Sequence, residues 1–232
     1  MKFDGVSGNR DRELDDPQDF GAIEFAYWHM AKAAGIEMSE CRLLEENGRR
    51  HFMTRRFDRT AEGGKLHMQS LGAIAHFDYN QPGAHGYEQA VQLIRKLDLG
   101  MDTLEQFYRR AVFNILARNQ DDHVKNIAFL MDRQGRWRLS PAFDLVYSHN
   151  PDGAWTSRHQ MSLNGKHQGF IFEDLRALAV VAGLKRGREK RIFQEVRSAV
   201  LDWPEHARKA QLEDLTIRKI QNALRVEQIA LS

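Results

Sequence analysis

Apolar positions recur at helical spacing over most of this chain, with short strand-like runs between them. Between Phe20 and Ala34, the residues Ile23, Tyr27, Met30 and Ala34 form one apolar stripe, the repeat of a helix that buries a single face. Asp19 is placed to cap its start and Gly35 to stop it. Cys41–Glu45 and Arg50–Phe57 read as antiparallel strands turned at Glu46-Asn47-Gly48, because Asn-Gly accepts the left-handed backbone that tight hairpins require. Val91, Ile94 and Leu97 predict a helix over Tyr87–Leu97. Leu104, Phe107, Ala111 and Ile115 predict a longer one over Thr103–Arg118, whose acidic first turn and basic last turn suit the helix dipole. Ile127–Met131 and Arg136–Leu139 predict a strand pair turned at Asp132-Arg133-Gln134-Gly135. Three further helices are predicted over Phe170–Ala182, Arg188–Leu201 and Gln211–Ala230. The stretches 4–19, 78–86 and 147–155 are rich in turn-forming residues and read as loops. His67–Ala75 is apolar-rich and is expected in a cleft or between two lobes.

Composition narrows the class without naming a function. At 232 residues, with 42% hydrophobic and 28% charged positions, the chain is long enough for one sizeable core. Its net charge of +2 gives no argument for nucleic-acid binding by itself. The single cysteine, Cys41, excludes an intramolecular disulfide and suits a reducing cytoplasm. No apolar run approaches a membrane span and the first residues have no signal-peptide core, so a cytoplasmic protein without membrane partners is expected.

One stretch departs from core-building logic. Asn119-Gln120-Asp121-Asp122-His123-Val124-Lys125-Asn126 packs titratable side chains between a helix and an apolar strand. Phosphoryl transfer needs a carboxylate to orient the attacking hydroxyl and oxygen ligands to hold magnesium on the nucleotide. Asp121 and Asn126 have the Asp-x-x-x-x-Asn spacing used for this, and Asp144 follows the predicted strand pair. Asn126 and Asp144 offer the hard oxygen donors that magnesium prefers, and Lys125 could offset charge on the moving phosphoryl group. On spacing alone, an acidic loop capping helix ends remains the alternative. His149, His159 and His167 fit no zinc spacing.

The motifs Asn-Gln-Asp-Asp-His-Val-Lys-Asn-Ile-Ala-Phe and Leu-Ser-Pro-Ala-Phe-Asp-Leu together resemble the catalytic core of the HipA family, the bacterial serine/threonine kinases that are toxins of HipB–HipA modules. Thr54-Arg55-Arg56-Phe57-Asp58-Arg59, His67-Met68-Gln69-Ser70-Leu71, Glu24-Phe25-Ala26-Tyr27 and Ala31-Lys32-Ala33-Ala34-Gly35-Ile36 extend the resemblance in order, from Lys2 to about Leu224. The resemblance implies an α+β, two-lobed, protein-kinase-like fold. Residues 1–60 would be a partial lobe with the ATP lysine, a helix and hinge strands, and 61–232 a mostly helical lobe with the catalytic loop and the metal-binding Asp.

It further implies ATP and Mg2+ as cofactors and transfer of the γ-phosphate to a serine or threonine. Asp121 would be the catalytic residue, and Asn126 and Asp144 would hold the metal. Lys2 would reach the phosphates, with Glu24 as its candidate partner; a first-turn Glu favoured by the helix dipole is the other reading of Glu24. Arg55, Arg56 and Phe57 would form the adenine hinge, while His123, Val124, Lys125, Asn126, Phe143 and Asp144 would complete the nucleotide site.

Partners implied by the family are a HipB-like antitoxin, a protein substrate such as an aminoacyl-tRNA synthetase with growth arrest and persistence as the outcome, and DNA contact only inside an antitoxin complex. The basic run Leu184–Arg191 is the candidate for that contact, with a solvated helix face as the alternative. The chain departs from the family in having no Gly-rich phosphate loop before Lys2; Gly5-Val6-Ser7-Gly8 follows the lysine instead. A truncated piece, an inactive binding remnant, or one part of a split kinase completed by a separate N-lobe chain is the corresponding expectation.

Overall fold

The computed structural model describes residues 1–4, 19–81 and 83–231; the motif Gly5-Val6-Ser7-Gly8 lies outside them. Helix α1 (Phe20–Ala33) buries Ala22, Ile23, Ala26, Tyr27 and Met30 and stops at Gly35, whose φ of +75° ends the helical path. The expected side-chain cap from Asp19 is absent: Asp19 itself adopts a left-handed backbone, and its carboxylate accepts from Arg50 Nε at 3.1 Å. Strands β1 (Cys41–Glu46) and β2 (Arg49–Thr54) pair in register from Cys41↔Thr54 to Glu46↔Arg49. Asn47 and Gly48, with φ of 51° and 73°, make the turn, as a two-residue hairpin requires. On the other side of β2, Lys2 N donates to Phe52 O at 2.8 Å and Phe52 N returns a bond of 3.1 Å to Lys2 O.

Helix α1 lies against this small sheet through Gly21. A Cβ there would stand 2.3 Å from the carbonyl oxygen of Arg50, a backbone atom that cannot rotate away. Gly21→Ala should therefore destabilise the protein by about 1–3 kcal/mol in urea unfolding through overpacking, and should push Glu24, one turn along, out of place.

A second sheet has the order β3–β4–β5, built from His67–Ser70, Ala128–Met131 and Trp137–Leu139, all antiparallel. The apolar segment His67–Ala75 thus divides into strand β3 and helix α2 (Leu71–Ala75), where Ser70 Oγ accepts from Ala73 N at 3.1 Å. Helices α3 (Tyr87–Lys96) and α4 (Gly100–Leu116) pack together. Phe107, Tyr108, Val112, Phe113, Ile115 and Leu116 of α4 are almost wholly buried, so this helix forms the spine of the core. The basic last turn expected for it is missing, because α4 ends at Leu116 and Arg118 turns away with φ of 57°. Helix α5 spans Phe172–Ala182 and α6 spans Arg188–Leu201.

The last predicted helix, Gln211–Ala230, is corrected by the structure. The chain forms α7 (Trp203–Lys209), turns at Gln211 with φ of 55°, and forms α8 (Asp214–Ala223), after which Leu224 is extended. Pro204 sits in the first turn of α7, where its missing N–H costs nothing. Trp203 is fully buried, donates Nε1–H to Ile217 O at 3.0 Å and packs edge-on to Tyr27 at 5.3 Å. It ties α1 to the C-terminal helices. Among the described residues no helix is long and apolar enough to cross a membrane.

Candidate active site

Lys2, Glu24 and Asp144 converge from three distant parts of the chain. Pairing with β2 fixes the Lys2 backbone, and Lys2 Nζ donates to Glu24 Oε1 at 2.8 Å and also to Asp144 Oδ1. Burial disfavours the ammonium charge, but the two carboxylates outweigh it and raise the Lys2 pKa above its ordinary value. Glu24 is only 3% exposed and lies beyond the first turn of α1, which carries no acidic residue. Asp144 adopts φ of 58°, a left-handed backbone that Asp and Asn accept more readily than other residues with a side chain.

The loop between α4 and β4 carries the remaining candidates. Asp121 is half-exposed, 3.6 Å from His123 Nε2. Its pKa is raised above 3.8, first by burial, with Asp144 and Asp122 adding to the effect and His123 and Lys2 opposing it. Asn126 Nδ2 donates to the Asp121 carbonyl at 2.9 Å, and Asn126 N donates to His123 O at 2.9 Å. This bond uses the amide's donor end, so Asn126 Oδ1 is the end available to a cation. Oxygen donors from Asn126 and Asp144 suit a magnesium ion. Lys125 Nζ lies 3.3 Å from the ring centroid of Tyr79, and that ring meets His123 at 6.3 Å, a cation–π contact linking the loop to residues 77–81.

Other sequence candidates fall in different places. Val124 is 2% exposed, and its carbonyl accepts from Gly72 N at 3.1 Å; its side chain belongs to the core and not to a nucleotide surface. The expected hinge strand ends at Thr54, leaving Arg55, Arg56 and Phe57 beyond β2. Arg56 is exposed and chelates Asp58 with bonds of 2.8 and 2.6 Å. Phe57 and Phe143 meet with ring centroids 5.5 Å apart, so these two aromatics do share a surface. In the basic run, Arg188 is engaged with Glu105 at 2.6 Å.

The residue that anchors the loop, Asp122, is one that sequence reasoning missed. It is 3% exposed and accepts from Tyr87 Oη at 2.6 Å, Gln160 N at 2.7 Å and Met161 N at 3.3 Å. His159 Nδ1 lies 2.8 Å from the same carboxylate. Asn114 Nδ2 donates to Tyr87 Oη at 3.0 Å, and Asn119 Nδ2 to Asn114 Oδ1 at 2.9 Å, extending the network into α4. Burial and the Asp122 charge push the Tyr87 phenol well above its ordinary pKa. A cavity of about 20 Å³ behind the loop is lined by Tyr87, Arg110, Asn114, Asn119, Asp122 and Asn126, enough for one water. The Asp-Asp doublet was the available signal, but its second member differs from the first only through contacts made more than thirty residues away.

Comparison with known proteins gives the family and the fold. A profile of the HipA-like C-terminal domain matches residues 1–203. A candidate kinase of Sinorhizobium fredii, Y4dM, is 28% identical over 195 residues, covering 76% of this chain and 46% of its own. A second from that organism, Y4mE, is 27% identical over 126 residues, covering 50% of this chain and 30% of its own. The chain therefore spans less than half the length of these curated relatives. Among solved structures, Shewanella oneidensis HipA, determined with HipB and operator DNA, superposes with a TM-score of 0.75 at 16% identity, over 93% of this chain and 57% of that one. The Helicobacter pylori proinflammatory kinase CtkA superposes with a TM-score of 0.52 at 10% identity, over 90% of this chain and 85% of that one. The fold is thus α+β and kinase-like.

Proposed function

The chain belongs to the HipA-like C-terminal domain family, and from that premise we propose that it is the core of a serine/threonine protein kinase that transfers the γ-phosphoryl group of ATP. The convergence of Lys2, Glu24 and Asp144 on one point supports this reading most strongly. A buried Glu paired with a lysine, beside an Asp able to hold magnesium, is the arrangement protein kinases need to grip nucleotide phosphates. The described residues among 1–60 form the lysine side of the cleft, and those among 61–232 the side carrying the catalytic loop.

Within that site Asp121 orients the attacking hydroxyl, and Asn126 Oδ1 with the Asp144 carboxylate holds Mg2+. Bound there, the metal supplies positive charge to the nucleotide phosphates. Lys2 binds the phosphates, His123 and Lys125 contact the nucleotide from the loop, and Phe57 and Phe143 flank the base beside Arg55 and Arg56. The substrate is a hydroxyl-bearing protein, of which an aminoacyl-tRNA synthetase is one candidate, with growth arrest and persistence following. A HipB-like antitoxin is the proposed partner, through which any DNA contact is made, in the cytoplasm.

Labelled γ-phosphate transfer with the purified chain tests the reading. Wild type should label itself or an added protein, and Lys2→Met should lose at least tenfold, since it removes the cation that grips the nucleotide phosphates. A folded chain that captures a partner but never transfers phosphate, with or without an added N-lobe chain, would replace the kinase reading with that of a binding module.

A further inference from the structure

Arg118 and Arg225 leave the backbone at one junction of the fold. Arg118 follows α4; its Nε donates to Ala223 O at 2.8 Å, and its carbonyl accepts from Ser148 N at 3.1 Å. Arg225 follows α8, and its N donates to Leu116 O at 2.9 Å. Both side chains therefore start from one junction of α4, α8 and the segment after Asp144. The Arg225 guanidinium lies 5.9 Å from the centroid of Phe170, and that ring meets His159 edge-on at 5.2 Å. Among the described residues no carboxylate pairs with either arginine. Burial lowers both pKa values, and the charge of Arg118 adds to the fall at Arg225, to about 10.

Two histidines complete the cluster. His149 directly follows Ser148, whose N–H is held by Arg118 O at 3.1 Å, and burial, with the charges of Arg118 and Arg225 adding to it, lowers its pKa. His149 Nδ1 and His159 Nε2 are buried and lack partners among the described residues, and the His159 side chain is wholly enclosed. Asp122 occupies only the opposite nitrogen of His159.

Half-buried cations that repel one another are unfavourable unless an anion joins them. Guanidinium forks match phosphate oxygens best, and the Nε bond of Arg118 leaves its terminal nitrogens for such a ligand. We propose that Arg118, Arg225, His149 and His159 Nε2 form a binding site for a phosphate dianion, free or esterified to a hydroxyl. The site is separate from the nucleotide cleft and does not rest on the kinase reading. It touches that cleft through His159, which holds Asp122, and through Arg118 O, which holds Ser148, whose Oγ donates to Asn119 Oδ1 at 3.3 Å. A filled site would fasten both ends of the segment 148–159, as ordering by phosphate does in other switch loops.

Calorimetric titration of the full chain with inorganic phosphate, at constant ionic strength, tests this. Saturable binding is expected, weakened at least tenfold by Arg225→Gln and by His149→Gln and partly retained in Arg225→Lys. Arg225 is the preferred position because Arg118 also caps α8, and unfolding curves of each variant separate lost binding from lost fold. Absence of saturable binding, or binding that survives both Gln variants, overturns the proposal. Mass spectrometry after incubation with Mg-ATP then separates the sources. Phosphate on Thr156 or Ser157 together with loss of free-phosphate binding assigns the ligand to the segment itself; an unmodified segment assigns it to phosphate from solution.

Discussion

Asp121→Asn should lower phosphoryl transfer by about 10²–10⁴-fold, the range contributed by a positioned acid–base group, while Mg-ATP affinity stays within about threefold. The asparagine keeps the shape of the carboxylate but cannot accept the hydroxyl proton. Asn126 bonds to the backbone carbonyl of Asp121 and not to its side chain, so the loop should keep its course in the variant. Because burial raises the Asp121 pKa above 3.8, the wild-type rate should fall as pH drops through that raised value, where the proton-accepting form disappears. The variant should lack this limb of the profile. A carboxyl whose folded pKa is raised stabilises the fold when protonated and loses that contribution as pH rises. Asp121→Asn should therefore be slightly more stable than wild type at neutral pH. Equal transfer rates in the two proteins would remove Asp121 from the mechanism.

Asp122→Ala should be the most damaging single change to stability. The Asp122 side chain is wholly enclosed and receives the Tyr87 hydroxyl and the backbone N–H groups of Gln160 and Met161, with His159 as a further partner. Truncation leaves these buried groups without an acceptor, and removing one partner from such a charged network costs about 3–5 kcal/mol. Asp122→Asn keeps one acceptor oxygen and should cost less. Urea unfolding measures both, and a cost under about 1 kcal/mol for the alanine would show that the network holds little. Since Asp121 and Asp122 are neighbours, the pair of variants separates chemistry from scaffold: the first should lose rate and keep stability, the second should lose both.

The periodic segments were legible in the sequence. Helices α1, α3, α4 and α6 and the Asn-Gly hairpin fall within a few residues of the positions their apolar spacing predicts, because each buries one continuous face. What sequence spacing could not reveal is long-range. The last helix is expected to begin at Gln211, but nothing local marks its end at Ala223 or the separate helix α7 before it, and the burial of Trp203 against Tyr27 depends on a residue from α1. Likewise Val124 reads as part of a polar loop, yet packs where a Cβ at Gly72 would come within 3.1 Å of it. The Asp-x-x-x-x-Asn spacing pointed to the loop. The meeting of Lys2 with Glu24 and Asp144 spans 22 and 142 residues; the resemblance gave reason to expect the Lys2–Glu24 pair, and the contact with Asp144 was not expected.

The convergence of Lys2, Glu24 and Asp144 should form a magnesium–nucleotide site. Calorimetry of ATP binding with and without Mg2+, on the wild-type chain and on Asp144→Ala, measures this. Binding that requires magnesium and is lost in Asp144→Ala is the predicted result. ATP binding indifferent to magnesium and to the substitution, in a variant that unfolds like wild type, would contradict it.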